Sequence, residues 1–364
     1  MAMARTVFVL GAGASREGGA PLMNDFLDVA EELFHQKRVG NAAEHFELVL
    51  RARDSLQAVH SKAILNVRNL ECVFGAFEMG RMLRRCGSLD VKDIEKLRTA
   101  MRAVITTTLE QSLDFRPQEP RVLPPRPYDE FVRLVTDAQQ SAAADVAVIS
   151  FNYDVALDYA FHFYSVPLDY GLQDNDAPET KIIPYAKLHG SGNWVLCQHC
   201  SIVQPLNLGD FFTKYNWRMW ALDKDKPVRL NIEQALGGLK HCDQPCTAEA
   251  LIVPPTWNKA EYGNVIASVW RRAAKEMSEA ENIVVIGYSL PPTDQFFQYL
   301  FGLGCVGPRL LRRFLVCDPD QAVEGHFREL LAPAAQEGFE HLPGVFSACL
   351  GNIRERLRIP ASDC

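Results

Sequence analysis

Apolar residues along this chain follow two periods. Thr6–Leu10 (TVFVL) is a short continuous apolar run, the pattern of a parallel strand covered on both faces. It ends in Gly11-Ala12-Gly13-Ala14-Ser15. Similar runs at Val146–Phe151, Ile182–Leu188, Ala250–Val253, Ile283–Tyr288 and Phe314–Cys317 predict further strands. Helical spacing falls between them. After Asn24, read as an N-cap, Phe26, Ala30 and Leu33 recur at i, i+4 and i+7. Leu70, Val73, Phe74 and Phe77 share a face over Leu70–Leu83. Ile94, Leu97, Met101 and Ile105 do the same over Val91–Leu109. Val155–Phe163, Val265–Met277 and Phe296–Gly302 carry the same spacing. Strands that alternate with helices predict an α/β fold with a doubly wound, Rossmann-like parallel sheet.

Three stretches depart from that alternation. Strand-like runs are scarce between residues 24 and 112, which predicts a mainly helical insertion. Phe115–Tyr128 holds Pro117, Pro120, Pro124, Pro125 and Pro127 and reads as an irregular connector. Residues 195–246 fit neither period and carry two close cysteine pairs. The expected organisation is therefore a Rossmann-like domain from 1–23, 129–194 and 247–364, a helical insertion and connector at 24–128, and a small metal module at 195–246. Residues 319–364 show helical signals and no nameable chemistry. No internal repeat is evident.

Composition narrows the function. A length of 364 residues suggests about two domains. The net charge of −7, with no Lys/Arg block, lacks the electrostatic footprint of a nucleic-acid binder, so no direct nucleic-acid contact is expected. No apolar run approaches the roughly 20 residues of a membrane span. Val7–Leu10 is too short for a signal peptide. A cytoplasmic location is expected, with the ten cysteines as thiols or metal ligands and not disulfides.

Five clusters carry candidate chemistry. Gly11 and Gly13 follow a strand, where a parallel sheet brings backbone close to phosphate; Arg16 stands where the dinucleotide fingerprint has its third glycine, and a tight structural turn is the alternative. Asn152 and Asp154 follow the Val146 strand, placed to hold a carboxamide or ribose hydroxyls, or to cap the next helix. His189, followed by Gly190, ends another strand and is a candidate general base, or a structural histidine. Cys197-x-x-Cys200 and Cys242-x-x-x-Cys246 can close a tetrahedral structural zinc site with four thiolates; the alternative is unpaired cysteines. Gly287 and Ser289 follow the Ile283 strand and can meet a phosphate or ribose, or form a strand-terminating turn, while Asp318 ends the next strand where dinucleotide folds place a ribose-binding acid.

In this order the clusters resemble the sirtuin superfamily over nearly the whole chain. GAGAS resembles its nucleotide loop, Asn152 and Asp154 its Asn-x-Asp motif, KLHG its catalytic histidine, and IGYSL its Gly-x-Ser-Leu ribose loop. Departures are as marked. Gly19-Ala20-Pro21-Leu22-Met23-Asn24 replaces the deacylases' Gly-Ile-Pro-Asp-Phe-Arg element. Leu251–Trp257 and Pro291–Asp294 replace their acyl-lysine channel and substrate-pairing strand. These features resemble the bacterial sirtuin-like NAD+ hydrolases, many of them anti-phage effectors. The resemblance implies hydrolysis of NAD+ to nicotinamide and ADP-ribose, with NAD+ consumed as substrate and zinc structural. It implies Asn152 orienting water or a ribose hydroxyl and His189 as general base. Asp154 would hold the carboxamide, Gly11, Ala12, Gly13 and Ser15 the pyrophosphate, Gly287 and Ser289 the ribose-phosphate, and Asp318 the adenosine ribose. It further implies a sensor or activator partner and a homo-oligomer. The rival readings are an NAD-dependent protein deacylase, a non-catalytic module that binds NAD or ADP-ribose, and a structural subunit.

Overall fold

The computed structural model describes residues 4–57, 64–118, 121–141, 144–173, 182–219, 228–253, 260–291, 294–307 and 309–361. Seven strands form one parallel sheet: β1 (Ala4–Leu10), β2 (Ala144–Ser150), β3 (Leu168–Asp169), β4 (Ile183–Lys187), β5 (Asn282–Ile286), β6 (Arg313–Cys317) and β7 (Phe339–Leu342). Their spatial order is β7-β6-β5-β1-β2-β4-β3. The chain builds one half outward from β1 through β2, then resumes on the other side with β5. The carboxyl ends of β1 and β5 therefore flank the topological switch point, where open parallel sheets bind ligands.

Alternate residues of the central strands feed two separate cores, as the pleat requires. Phe8, Leu10, Val146, Val148, Val284 and Ile286 belong to one apolar cluster, with the helices before residue 164 and the C-terminal helix Phe346–Leu357. Val7, Val9, Ala147, Ile149, Ile283 and Val285 belong to the other, with Ala260–Ser278, Gln295–Gly304 and Ala322–Leu330. Both faces are covered, which is why these strands read as unbroken apolar runs and not as alternation.

The insertion is helical where described, with helices at Phe26–His35, Ala43–Ser55, Leu70–Leu83 and Val91–Ser112. Asn69 and Asp90 cap the last two through side-chain oxygens that accept the Cys72 and Asp93 amides. Asn24 is not a cap: its Oδ1 accepts from Asn69, and Asp25 stands at the Phe26 helix start. Phe46, Phe74, Leu97 and Met101 lie in the same cluster as Phe8, so the insertion shares a core with the sheet.

Three local expectations are corrected. The proline-rich connector holds a short hairpin, Arg116–Gln118 with Arg121–Leu123, and helix Tyr128–Gln140 begins at its end. Leu251–Ile252 pairs antiparallel with Gly190–Ser191 outside the main sheet. Residues 319–364 include a sheet strand, β7, besides helices.

Candidate active site and metal centre

The loops after β1, β2 and β5 meet at the switch point. The Gly11 amide donates to the Ile286 carbonyl (3.0 Å) and the Gly13 amide to the Gly287 carbonyl (2.8 Å). Gly287 has φ +59°, a conformation that favours glycine, and a Cβ there would land on the Gly13–Ala14 peptide. A Cβ on Gly13 would lie 2.7 Å from the Gly287 Cα. These glycines are thus required by loop-on-loop packing. Their amides are already used, so what they offer a ligand is close backbone approach.

Beside this contact, Ser15 organises a buried network. Its Oγ donates to Asp154 Oδ2 (2.7 Å) and lies 2.6 Å from the Tyr128 hydroxyl. With its single proton on Asp154, Ser15 must accept from Tyr128. Asn152 Nδ2 donates to Ser15 Oγ (3.0 Å) and to the Gly11 carbonyl (2.9 Å). Among the described residues nothing donates to Asn152 Oδ1, which leaves one acceptor for a water or hydroxyl. Asp154 Oδ1 accepts the Ala156 amide (3.0 Å) at the start of helix Ala156–Phe163, whose N-cap position is held by Val155 and not by Asp154. Burial raises the Asp154 pKa, against the pull of the Lys187 charge and the Ser15 hydroxyl. Burial and the Asp154 charge push the Tyr128 phenol above its usual range, which keeps it a proton donor.

Lys187, the last residue of β4, is fully buried. Its Nζ donates to the Asp154 carbonyl (2.7 Å) and pairs with Asp158 (2.9 Å). His189 follows two residues later, with Phe151 edge-on at 5.1 Å and Tyr153 at 6.0 Å between ring centroids. Tyr288 stacks on Phe151 at 4.4 Å. Gly190, at φ +80°, has the Leu251 carbonyl where a side chain would stand, and the His189 carbonyl accepts the Val253 amide. A cavity of about 20 Å³ touches Tyr153 and Asp154, room for a water and not for an aromatic ring. Asp154 accepts one bond at each carboxylate oxygen, from Ser15 and from Ala156, which leaves a further lone pair on each.

The remaining predicted positions lie along the same sheet edge. Ser289 is exposed, and its carbonyl meets His326 Nδ1 at 3.1 Å. Asp318 follows β6; its Oδ1 accepts the Asp320 amide, and burial raises its pKa. Pro254–Trp257 and Pro292–Thr293, parts of the replaced channel elements, lie outside the described residues.

The candidate metal centre is built from two hairpins. Trp194–Leu196 pairs with Val203–Pro205, and Lys240–His241 with Gln244–Pro245. Ligand atoms of Cys197, Cys200, His241 and Cys242 all lie within 4.8 Å of one another. Cys200 Sγ and Cys242 Sγ are 3.6 Å apart, and His241 Nδ1 stands 3.2 and 3.1 Å from them. A tetrahedral zinc with bonds of about 2.0–2.3 Å separates its ligands by about 3.5–3.8 Å, so the set fits this ion after small relaxation. The amides of Cys200 and His199 lower the Cys197 pKa to about 6, toward the thiolate a metal requires. Three of the four predicted cysteines are gathered; Cys246 is not among these four. Cys242 and Asp243 form the hairpin turn in left-handed backbone, which brings His241 and Cys242 to the ligand end. Cys246 lies beyond the turn, bridged to Cys197 through backbone and buried among apolar side chains.

Sequence reasoning missed Tyr128, Lys187, Asp158 and His241. Only His241 carried a local signal, its place next to Cys242. No helix among the described residues is long and apolar enough to cross a membrane. No protein-family model matches the chain, and no curated protein matches it in sequence. Among solved structures the chain is similar to a Sir2 homologue in complex with NAD, at 14% identity and a TM-score of 0.44 over 99% of this chain and 92% of that one. It is also similar to Sir2Tm bound to a propionylated peptide, at 12% identity and a TM-score of 0.39 over 98% and 94%.

Proposed function

We propose that this protein hydrolyses NAD+ to nicotinamide and ADP-ribose. The observation that supports this most is the convergence of Asn152, Asp154 and Ser15 at the switch point, with His189 at the end of the neighbouring strand. Breaking the nicotinamide–ribose bond builds positive charge on the ribose, so the site must fix the departing carboxamide and aim water at C1′. In this reading Asp154 takes the carboxamide. Asn152 Oδ1, the acceptor left over, orients water or a ribose hydroxyl. His189 acts as general base. Gly11, Ala12, Gly13 and Ser15 line the pyrophosphate, Gly287 and Ser289 the ribose-phosphate, and Asp318 the adenosine ribose. Cys197, Cys200, His241 and Cys242 would hold zinc, which would tie the two hairpins together. The finer reading, an NAD-consuming effector of anti-phage defence with a sensor partner and a homo-oligomeric form, rests on the motif resemblance and belongs to the same proposal.

Asn152→Ala and His189→Ala test the roles. Each should lower nicotinamide release by about 10²–10⁴-fold with the fold intact by circular dichroism. Turnover near the wild-type rate in either folded variant overturns the assignment.

A further inference from the structure

A second cavity opens where helix Val91–Ser112 ends, away from the loops after β1 and β5. It encloses about 610 Å³, within the roughly 300–1,000 Å³ range of small-ligand sites. Its charged lining is Arg38, His45, Glu110, Arg229 and Glu233. Arg229 donates to the Leu113 carbonyl (2.8 Å), and Arg38 to the Gln111 carbonyl (3.1 Å) and the Gln36 side chain (3.3 Å). Neither guanidinium forms an ion pair among the described residues. Burial and the Arg38 charge hold the Arg229 pKa below its usual value, the mark of two cations placed side by side; Asp114 pulls the other way.

The acids on this wall do not cancel that charge. Glu110 Oε1 accepts the Ile232 and Glu233 amides at 2.9 and 3.3 Å, and burial pushes its pKa up to about 8. It is mostly protonated at neutral pH and offers a donor instead of a repelling carboxylate. Burial and the neighbouring Glu249 raise the Glu233 pKa, with His45 pulling the other way. Two guanidiniums beside a protonated carboxyl suit a phosphoryl group, whose oxygens accept from all three.

We propose that this cavity is a binding site for a small phosphorylated ligand, held by Arg38 and Arg229. It is distinct from the proposed NAD+ crevice, although Glu110 and Leu230 also line the small cavity against Asp154.

Calorimetric titration of the full chain with inorganic pyrophosphate, at low salt, tests the site. Saturable binding is expected, weakened at least tenfold in Arg229→Gln and in Arg38→Gln. Arg38 is exposed, so its variant folds independently of the outcome. Absence of binding to the wild-type chain overturns the proposal. So does an affinity within twofold of wild type in Arg38→Gln, which would place the anion elsewhere.

Discussion

Ser15 has one proton and two acceptor positions, and its neighbours use all three: Asp154 accepts, while Tyr128 and Asn152 donate. Such a group responds sharply to substitution. Ser15→Ala removes a bond that lowers the Asp154 pKa, so the carboxyl should titrate at a still higher pH, read by its ¹³C shift through a pH series. An unchanged titration contradicts the network. Beneath it, Lys187 and Asp158 are both fully buried and face each other. Lys187→Met leaves Asp158 uncompensated and should cost about 3–5 kcal/mol in urea unfolding. A loss under about 1 kcal/mol would mean that water or another cation reaches the aspartate. The proposed chemical residues Asn152, Asp154 and His189 could be named from the sequence because each follows a strand, where ligands gather. Tyr128 and Lys187 could not, because their partners are distant in sequence and only the fold joins them.

At the scale of elements, strands and helices covered on apolar faces were readable, since burial writes a period into the chain. Helix Leu70–Leu83 has the predicted limits. Edge elements carry less of that signal: β3 has two residues, and β7 (FEHL) places Glu340 and His341 mid-strand. In the metal module, the cysteine spacing suggested four thiolates, yet the turn at Cys242–Asp243 brings His241 into the gathered set with Cys197, Cys200 and Cys242, and Cys246, paired through backbone with Cys197, is not among them. Metal analysis of purified variants separates the two sets. Cys200→Ser and His241→Ala should lose most bound zinc, while Cys246→Ser should keep it. The opposite pattern for His241 and Cys246 restores the all-thiolate site.

Across the whole molecule, the insertion shares one apolar cluster with the sheet, and the first metal hairpin contributes Val195 to it and Trp194 and Val203 to the other. Glu110 stands in the insertion's helix Val91–Ser112. Its folded pKa of about 8 exceeds the usual 4.5, so the folded chain holds a proton that the unfolded chain has released between those values. Stability should therefore fall as pH rises from about 4.5 to about 8 and level off above. Glu110→Gln keeps an acceptor for the Ile232 and Glu233 amides and has no proton to lose. Its stability relative to wild type should rise across that window in urea titrations. A constant difference contradicts a buried, neutral Glu110.

The NAD+ reading depends on all these scales at once: glycine loops packed at the switch point, the Ser15 network beside them, and His189 on the neighbouring strand. The most direct test incubates the purified chain with NAD+, with and without an acyl-lysine peptide, and separates nicotinamide, ADP-ribose and O-acyl-ADP-ribose by chromatography. The account predicts nicotinamide and ADP-ribose in equal amounts without peptide, abolished in His189→Ala. Product that forms only with peptide, as O-acyl-ADP-ribose, would contradict hydrolysis and make the chain a deacylase; NAD+ bound tightly without any product would make it a binding module.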